Sequence, residues 1–583
     1  MFRLKRALLM ALVVDWAAIL ASCGGVSSNA QSASFTISAL PSSVTVVLGT
    51  SNKSTITVNP RNGFNSSVTL SATGLPSGVT ASFNPSSTTT SSTLTLTASA
   101  TAALGTTTMT ISGMSGSLTN STPISLSILK MGQINHVVII FQENRTPDNL
   151  FHDQNLINAG ADIASTGKTS TGATVTLTPV PLVTTYDLGH SHTAFLSTCQ
   201  WNGTQCAMNG ADLEPCSGQG CPAQNAAYQY VQASDVQPYF DLAEAYTFGD
   251  RMFQTNEGPS FPAHQYILSG TSAVCVPGGN CPSGMTSTFY VADNPSDNER
   301  ADGAYGAGCL APPDSLVNII DTSQPFPNKA LSHITGPECF EHPTLTDVLD
   351  ANGLQWKYYA ALPGDIWTAP NVIEHMCQPS GPANDNNCSG PDWTAPDPKV
   401  VIEGSGSQVT QDIQNGQLAA VTWVIPTGAN SDHAAGNDGG GPSWVASIVN
   451  TIGASQFWSD TAIIITWDDW GGWYDHVAPQ IRNTNSYEYG FRVPLIVVSP
   501  YAKQKYVSHQ VNDFGSILKF IEEVFSLPEI DPSVGYADSY AVGDLSDCFD
   551  FSQSPQPFTQ IKAPLKTEYF QNSKAPATPP DND

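Results

Sequence analysis

The stretch TAIIITWDDWGGWYDH, residues 461–476, decides the fold. Residues 462–466 are apolar and mostly β-branched, with no alternation, which predicts a strand buried on both faces. Two carboxylates, Asp468 and Asp469, follow at once, then Gly471 and Gly472, where the backbone can turn tightly. Asp475 and His476 come a few residues later. Adjacent acids at the end of a buried strand are costly unless a cation neutralises them. In an open α/β sheet that edge is also where ligands bind. The stretch reads as a metal-binding corner, with a solvated acidic turn as the plainer alternative.

The same kind of element recurs on both sides. NHVVIIFQEN (135–144), LQWKYYAAL (354–362), AAVTWVIPTG (419–428) and FRVPLIVVSP (491–500) read as strands. VQPYFDLAEAYTFGDRMF (236–253), HPTLTDVLDANG (342–353) and PSWVASIVNTIGAS (442–455) have the apolar spacing of helices. So does DFGSILKFIEEVFSL (513–527), with Asp513 as N-cap. Strands alternating with helices predict an α/β domain with a mostly parallel sheet and helices on both faces. Polar groups follow three strands: Glu143 and Asn144, Asp432 and His433, Asp468 and Asp469. Ser260 lies in a Gly-Pro-Ser-Phe-Pro turn, and His190 and His192 lie in a loop, DLGHSH. A strand-end Asn is ordinarily a turn former and a loop His ordinarily solvated. Parallel strands share a direction, however, so these groups can converge on one sheet edge.

Residues 33–129 have a different character. Segments such as SFTISAL, STITVNP and STLTLTASA alternate apolar with Thr or Ser at period two, broken by Gly, Pro and Asn. About seven short strands in about a hundred residues is the pattern of an immunoglobulin-like β-sandwich. No Cys pair and no Trp stands in it, which is unlike antibody domains. The expected organisation is a leader at 1–23, the all-β sandwich at 33–129, the α/β domain at 134–552, and a Pro-rich irregular tail at 553–583.

With 583 residues, more than one domain is required. The net charge of −28, from 21 basic and 49 acidic residues, argues against nucleic-acid binding and against electrostatic docking on anionic lipid. Arg3, Lys5 and Arg6 precede an apolar run that ends in Leu20-Ala21-Ser22-Cys23. This resembles a lipoprotein signal peptide, implying cleavage before Cys23 and its lipidation, although Asp15 interrupts the run. An ordinary signal peptide cut nearby is the alternative. Either way export is expected, to the cell surface or periplasm on a membrane anchor, or as a secreted protein. Twelve Cys are present. Removing Cys23 leaves eleven, of which Cys199 with Cys206, Cys216 with Cys221, Cys275 with Cys281, and Cys377 with Cys388 are close in sequence. In an oxidising compartment these read as local disulfides.

HVVIIFQENRTPDNLF (136–151) resembles the opening motif of the bacterial phosphoesterase family that contains phospholipases C and acid phosphatases. EGPSFPAHQY (257–266) is similar to that family's Gly-Pro-Thr/Ser turn, and TWDDWGGWYDHV (466–477) to its metal-binding Asp-Glu segment. FRVPLIVVSPYAK and VSHQVNDFGSILKFIEEVFSL match its closing segments. The resemblance implies an alkaline-phosphatase-like fold, with a phosphate ester or phospholipid as substrate. By the same resemblance Glu143, Asn144, Asp468 and Asp469 hold one divalent cation, with Ser260 beside it. Oxygen ligands favour Mg²⁺, Ca²⁺ or Mn²⁺, and Zn²⁺ is possible. Ser260 becomes the nucleophile, and His190 and His433 donate to phosphoryl oxygens or protonate the leaving group. Asp250 is expected to orient one of those histidines. His192, Asp432 and His476 are further candidates, and His264 and His509 are ambiguous.

Two departures stand out. Asp469 occupies a position where Glu is usual, and Phe261-Pro262-Ala263-His264 replaces the Asn-Pro-Asn-Arg common in the family's phospholipases. A surface adhesion or binding protein with an inactive phosphoesterase-like domain is the competing expectation. Sulfatase chemistry is disfavoured, since GPSFPAH lacks the Cys/Ser-x-Pro-x-Arg sequence such enzymes modify. A monomer is expected.

Overall fold

A computed structural model describes residues 32–573 except 50, 130–132, 278, 280, 282–283, 297–305, 328–330, 336–337, 379–387, 404–406 and 481–488. The leader and Cys23 lie outside the described residues. So does the chain beyond 573.

The N-terminal segment forms two sheets around one apolar core. Ser34–Leu40, Ser51–Arg61, Ser91–Ala98 and Val79–Asn84 pair antiparallel in that order. Ser43–Val47, Leu118–Leu129, Gly105–Ser115, Val68–Thr73 and Ser87–Thr88 make the second sheet, whose first pair is parallel. The period-two pattern works as expected. In Ser91–Ala98 every second residue is buried, Leu94 and Leu96 among them, while most of the Ser and Thr between them face out. Among the described residues nine strands are present in place of about seven expected, because one long run gives Val68–Thr73 to one sheet and Val79–Asn84 to the other, and the short Ser87–Thr88 is added.

The second domain is built on one sheet, whose strands are numbered here in chain order: β1 (His136–Gln142), β2 (Thr247–Gly249), β3 (Trp356–Ala360), β4 (Val400–Ile402), β5 (Val421–Val424), β6 (Thr461–Trp467), β7 (Leu495–Val498) and β8 (Tyr506–Ser508). Their spatial order is β4-β3-β5-β1-β6-β7-β2-β8. The five strands from β4 to β6 are parallel; β7 is antiparallel to both its neighbours, and β2 pairs parallel with β8. Helices α1 (His192–Cys199), α2 (Ala233–Ala245), α3 (Ser260–Ser269), α4 (Gly441–Gly453) and α5 (Phe514–Phe525) surround it. Every residue of β6 is buried, as the unbroken apolar run requires. Ile463, Ile464 and Ile465 have no exposed surface. Each such side chain stabilises the fold by about 1.5–3 kcal/mol.

The structure alters three expectations. Residues 236–253 do not form one helix: α2 ends at Ala245, and Thr247–Gly249 enters the sheet between β7 and β8. Local apolar spacing loses there to a buried edge that needs a hydrogen-bonding partner. The tail from 553 is irregular but docked. It forms a short helix, Thr567–Gln571, with Phe570 buried, and Asn450 of α4 donates to the Ile561 carbonyl. The four neighbouring Cys pairs are joined, and a fifth disulfide links Cys309 to Cys339 across a longer separation. Cys548 is left as a buried thiol, which accounts for the odd count. Among the described residues no helix is long and apolar enough to cross a membrane.

Candidate active site

The register of the two central strands assembles the site. β1 and β6 pair in parallel from His136 opposite Thr461 to Gln142 opposite Trp467. The next residues, Glu143 and Asp468, therefore leave the sheet together. The ladder continues one step further, with Asp468 N–H donating to the Gln142 carbonyl. Asn144 then takes a left-handed conformation, φ 62°, and its N–H donates to Asp468 Oδ1 at 2.8 Å. Gly471, with φ 59°, makes room for that turn. A Cβ on Gly471 would lie 2.6 Å from Asn144 Cβ and nearer still to the Asn144 carbonyl. Gly472 does the same for the neighbouring loop, where a Cβ would lie 2.5 Å from Leu188 Cβ and 2.8 Å from the Gly189 carbonyl.

Ser260 is the first residue of α3 rather than part of a free turn. The first-turn N–H of Phe261 donates to Asn294 Oδ1 at 2.9 Å, so a neighbouring segment caps the helix. Ser260 Oγ lies 3.3 Å from Glu143 Oε2 and 3.4 Å from Asp469 Oδ2. One turn along the same face, His264 Nε2 lies 3.0 Å from Glu143 Oε1. Glu143, Asp468, Asp469 and His264 have no exposed surface. Burial, then the charge of Asp468, holds the Glu143 and Asp469 carboxyls well above the ordinary carboxylate range. Burial lowers the His264 pKa to about 4, against the raising influence of Asp468 and the Trp367 backbone.

The remaining candidates fall into two groups. His190 belongs to the site: its Nε2 faces Asn144 Nδ2 at 2.9 Å and its Nδ1 faces the Leu188 carbonyl at 2.8 Å. The His433 ring lies 5.8 Å from the His190 ring, with Nδ1 on the Ala434 carbonyl at 2.7 Å and Asp187 Oδ2 at 4.0 Å. His433 slightly opposes the rise that burial imposes on the Asp469 pKa, which sets it beside the carboxylates. His192 supports the turn before Ser260, with Nδ1 on the Glu257 carbonyl at 3.0 Å.

Three expectations need correction. Asp250 orients neither His190 nor His433; its carboxylate meets His509 Nδ1 at 2.9 Å and accepts from the Asp162 N–H. Asp432 faces the core, where Oδ2 accepts from the Tyr239 hydroxyl and Trp467 Nε1 at 2.8 and 2.9 Å. Its role is to fasten the loop that carries His433. Asp475 and His476 turn away from the paired acids. Asp475 pairs twice with buried Arg492, at 2.8 and 2.9 Å, and His476 pairs with Asp148 and Asp162. In each case position in the chain does not fix the direction of the side chain, and the nearest buried partner decides it.

The sequence reading missed Asp365 and Trp367, which follow β3. Asp365 is near enough to raise the Glu143 pKa, and burial pushes its own up to about 7. Trp367 stacks near both His264 and His433, with ring centroids 6.4 and 6.1 Å away. A side-chain signal for them was absent, since they follow a strand by several residues in a Pro- and Gly-containing loop. Arg145, also buried, donates from Nε and Nη2 to the Asp432 carbonyl and lies 5.0 Å over Trp473. Trp470 packs on Phe491 and Tyr474 on Tyr228, so these aromatics hold the loop to the sheet.

The donor set fits a divalent cation. Three buried carboxylates converge, and among the described residues no Lys or Arg pairs with any of them. Asn144 Oδ1 and Asp468 Oδ2 are buried without a hydrogen-bond partner. Such oxygens are stabilised together by positive charge among them or by protonation.

The fold is that of an α/β protein with polar groups at the carboxyl edge of a mostly parallel sheet and a Ser hydroxyl among buried acids. The family model "Phosphoesterase family" matches residues 134–528, and the chain belongs to that family. It is 23% identical over 494 residues to "Hemolytic phospholipase C" of Pseudomonas aeruginosa, covering 77% of this chain and 61% of that protein. It is 23% identical over 483 residues to "Non-hemolytic phospholipase C" of Burkholderia pseudomallei, covering 73% and 60%. "Phospholipase C A" of Mycobacterium tuberculosis is 26% identical over 468 residues, covering 72% and 78%. The chain spans about 60% of the length of the first two relatives.

Proposed function

We propose that the protein is an exported, metal-dependent phosphoesterase that hydrolyses phosphate esters through Ser260, in the manner of a phospholipase C or an acid phosphatase. The observation that carries this is the convergence of Glu143, Asn144, Asp468 and Asp469 on Ser260, whose Oγ is 3.3 and 3.4 Å from two of those carboxylates. A divalent cation held by these five residues would supply Lewis-acid charge that offsets the acids and polarises the ester.

The side chains divide the work. Ser260 Oγ bonds to phosphorus and the ester P–O bond breaks, giving a phosphoserine and an alcohol. The Ser proton passes to the Glu143–Asp469 pair, which Oγ already faces. The N-terminal end of α3 turns its positive pole toward the phosphoryl group. His433, whose Nδ1 lies 4.0 Å from Asp187 Oδ2, gives the departing alcohol a proton, then takes one from the water that cleaves the phosphoserine, while the Glu143–Asp469 pair returns its proton to Ser260 Oγ. His190 engages the Asn144 amide through Nδ2 and leaves its buried Oδ1 free to hold the cation. The names of the relatives favour a phospholipid substrate. The sandwich, read as immunoglobulin-like, serves as a spacer from a lipid anchor at Cys23.

The test uses the purified exported chain with phosphatidylcholine vesicles and a soluble aryl phosphomonoester, before and after chelation. Ser260→Ala is expected to abolish turnover on both while leaving thermal unfolding unchanged. Retained turnover would remove the covalent mechanism, and insensitivity to chelator the metal. Faster cleavage of vesicles assigns phospholipase action, and the reverse assigns phosphatase action.

A further inference from the structure

We infer that His264 is itself a ligand of the cation, through Nε2, and that this nitrogen makes the site select a transition-metal ion over Mg²⁺ or Ca²⁺. The inference rests on the cation reading above and goes beyond it, because a set of oxygens alone gives no such preference.

Three observations carry it. The first is distance. His264 Nε2 is 3.0 Å from Glu143 Oε1, and donor atoms of Glu143, His264 and Asp468 all lie within 4.8 Å of one another. Two donors at about 2.1 Å from one ion and at right angles are about 3.0 Å apart. The second is the lack of other partners. His264 Nδ1 and Asp468 Oδ2 are both buried with no hydrogen-bond partner, so the ring meets the acids through Nε2 alone. Acids crowded in this way are relieved by a cation among them. The third is rigidity. The ring meets Phe141 edge-on at 4.8 Å and stacks near Trp367, and its Cα is one helical turn from Ser260. It cannot swing away.

The test is pulsed electron paramagnetic resonance on the full chain, stripped with chelator and reloaded with Mn²⁺. The expected spectrum carries ¹⁴N coupling from a directly bound imidazole. In His264→Gln that coupling is lost and Mn²⁺ binds at least about tenfold more weakly, while His190→Gln and His433→Gln keep it. Failure of the chain to bind Mn²⁺, Mg²⁺ or Ca²⁺ would sink the cation reading itself. Binding of Mn²⁺ without nitrogen coupling, or coupling that survives in His264→Gln, would overturn only the role of His264. Should His264→Gln not fold, the unaltered chain decides: equal affinity for Mg²⁺ and Zn²⁺ overturns the inference, and a preference for Zn²⁺ of at least about tenfold supports it.

Discussion

Gly471→Ala puts the geometry of the site to a quantitative test. The new Cβ would sit 2.6 Å from Asn144 Cβ, about 0.8 Å short of ordinary van der Waals contact. Backbone φ at 471 is +59°, a region that costs a residue with a side chain roughly 1–2 kcal/mol. Asn144 cannot yield outward, because its N–H is bonded to Asp468 and its amide to His190. Relief must come from moving Asn144, and with it the donor set beside Ser260, by somewhat under an ångström. Misplacement on that scale costs catalysis about a hundredfold, or ~2.7 kcal/mol of transition-state stabilisation. The global fold should lose only about 1–3 kcal/mol, since the strain is confined to one turn. The assay is kcat/KM on a soluble phosphomonoester, with a denaturant midpoint measured on the same sample. Activity within threefold of the unaltered chain, in a protein that remains folded, would refute the claim that Gly471 exists to admit Asn144. Gly472→Ala supplies the contrast, because its Cβ meets Leu188 and Gly189, on the loop of His190.

Further expectations follow from the electrostatics. Glu143 and Asp469 have folded-state pKa values raised above the ordinary range, so without a cation their contribution is lost as pH rises from about 4. The metal-free protein should thus become less stable from pH 5 to 7.5, and the stabilisation gained on adding Mn²⁺ should be larger at the higher pH; thermal unfolding with and without the ion checks both. Asp475→Asn breaks a buried bidentate pair with Arg492 and leaves that guanidinium short of an anion. A loss of about 3–5 kcal/mol is expected, read as a shift in denaturant midpoint. Cys23→Ser should move the protein from the membrane fraction to the soluble one if the lipid anchor is correct, and an unchanged distribution in detergent-free extracts would reject it.

The paired acids, the strand before them and the N-terminal strands were legible because each has a local signature: an unbroken apolar run or a period of two. Partners were not. Asp250 directly follows a strand just as Asp468 does, yet it meets His509, and Asp432, beside His433 in its loop, meets Tyr239 and Trp467. The direction of β7 was equally hidden, since a fully buried strand reads the same run forwards or back.

Sequence alone therefore determined β1, β3, β5, β6 and β7 and the residue types delivered to the sheet edge, because burial and periodicity act within a few residues. Tertiary structure alone decided which side chains meet. The register of β1 on β6 brings Glu143 to Asp468 across 325 residues of chain. The helical turn from Ser260 to His264 then aims an imidazole nitrogen at the same acids. Those contacts are made between segments that share no local sequence, and only the packed fold brings them within a few ångströms.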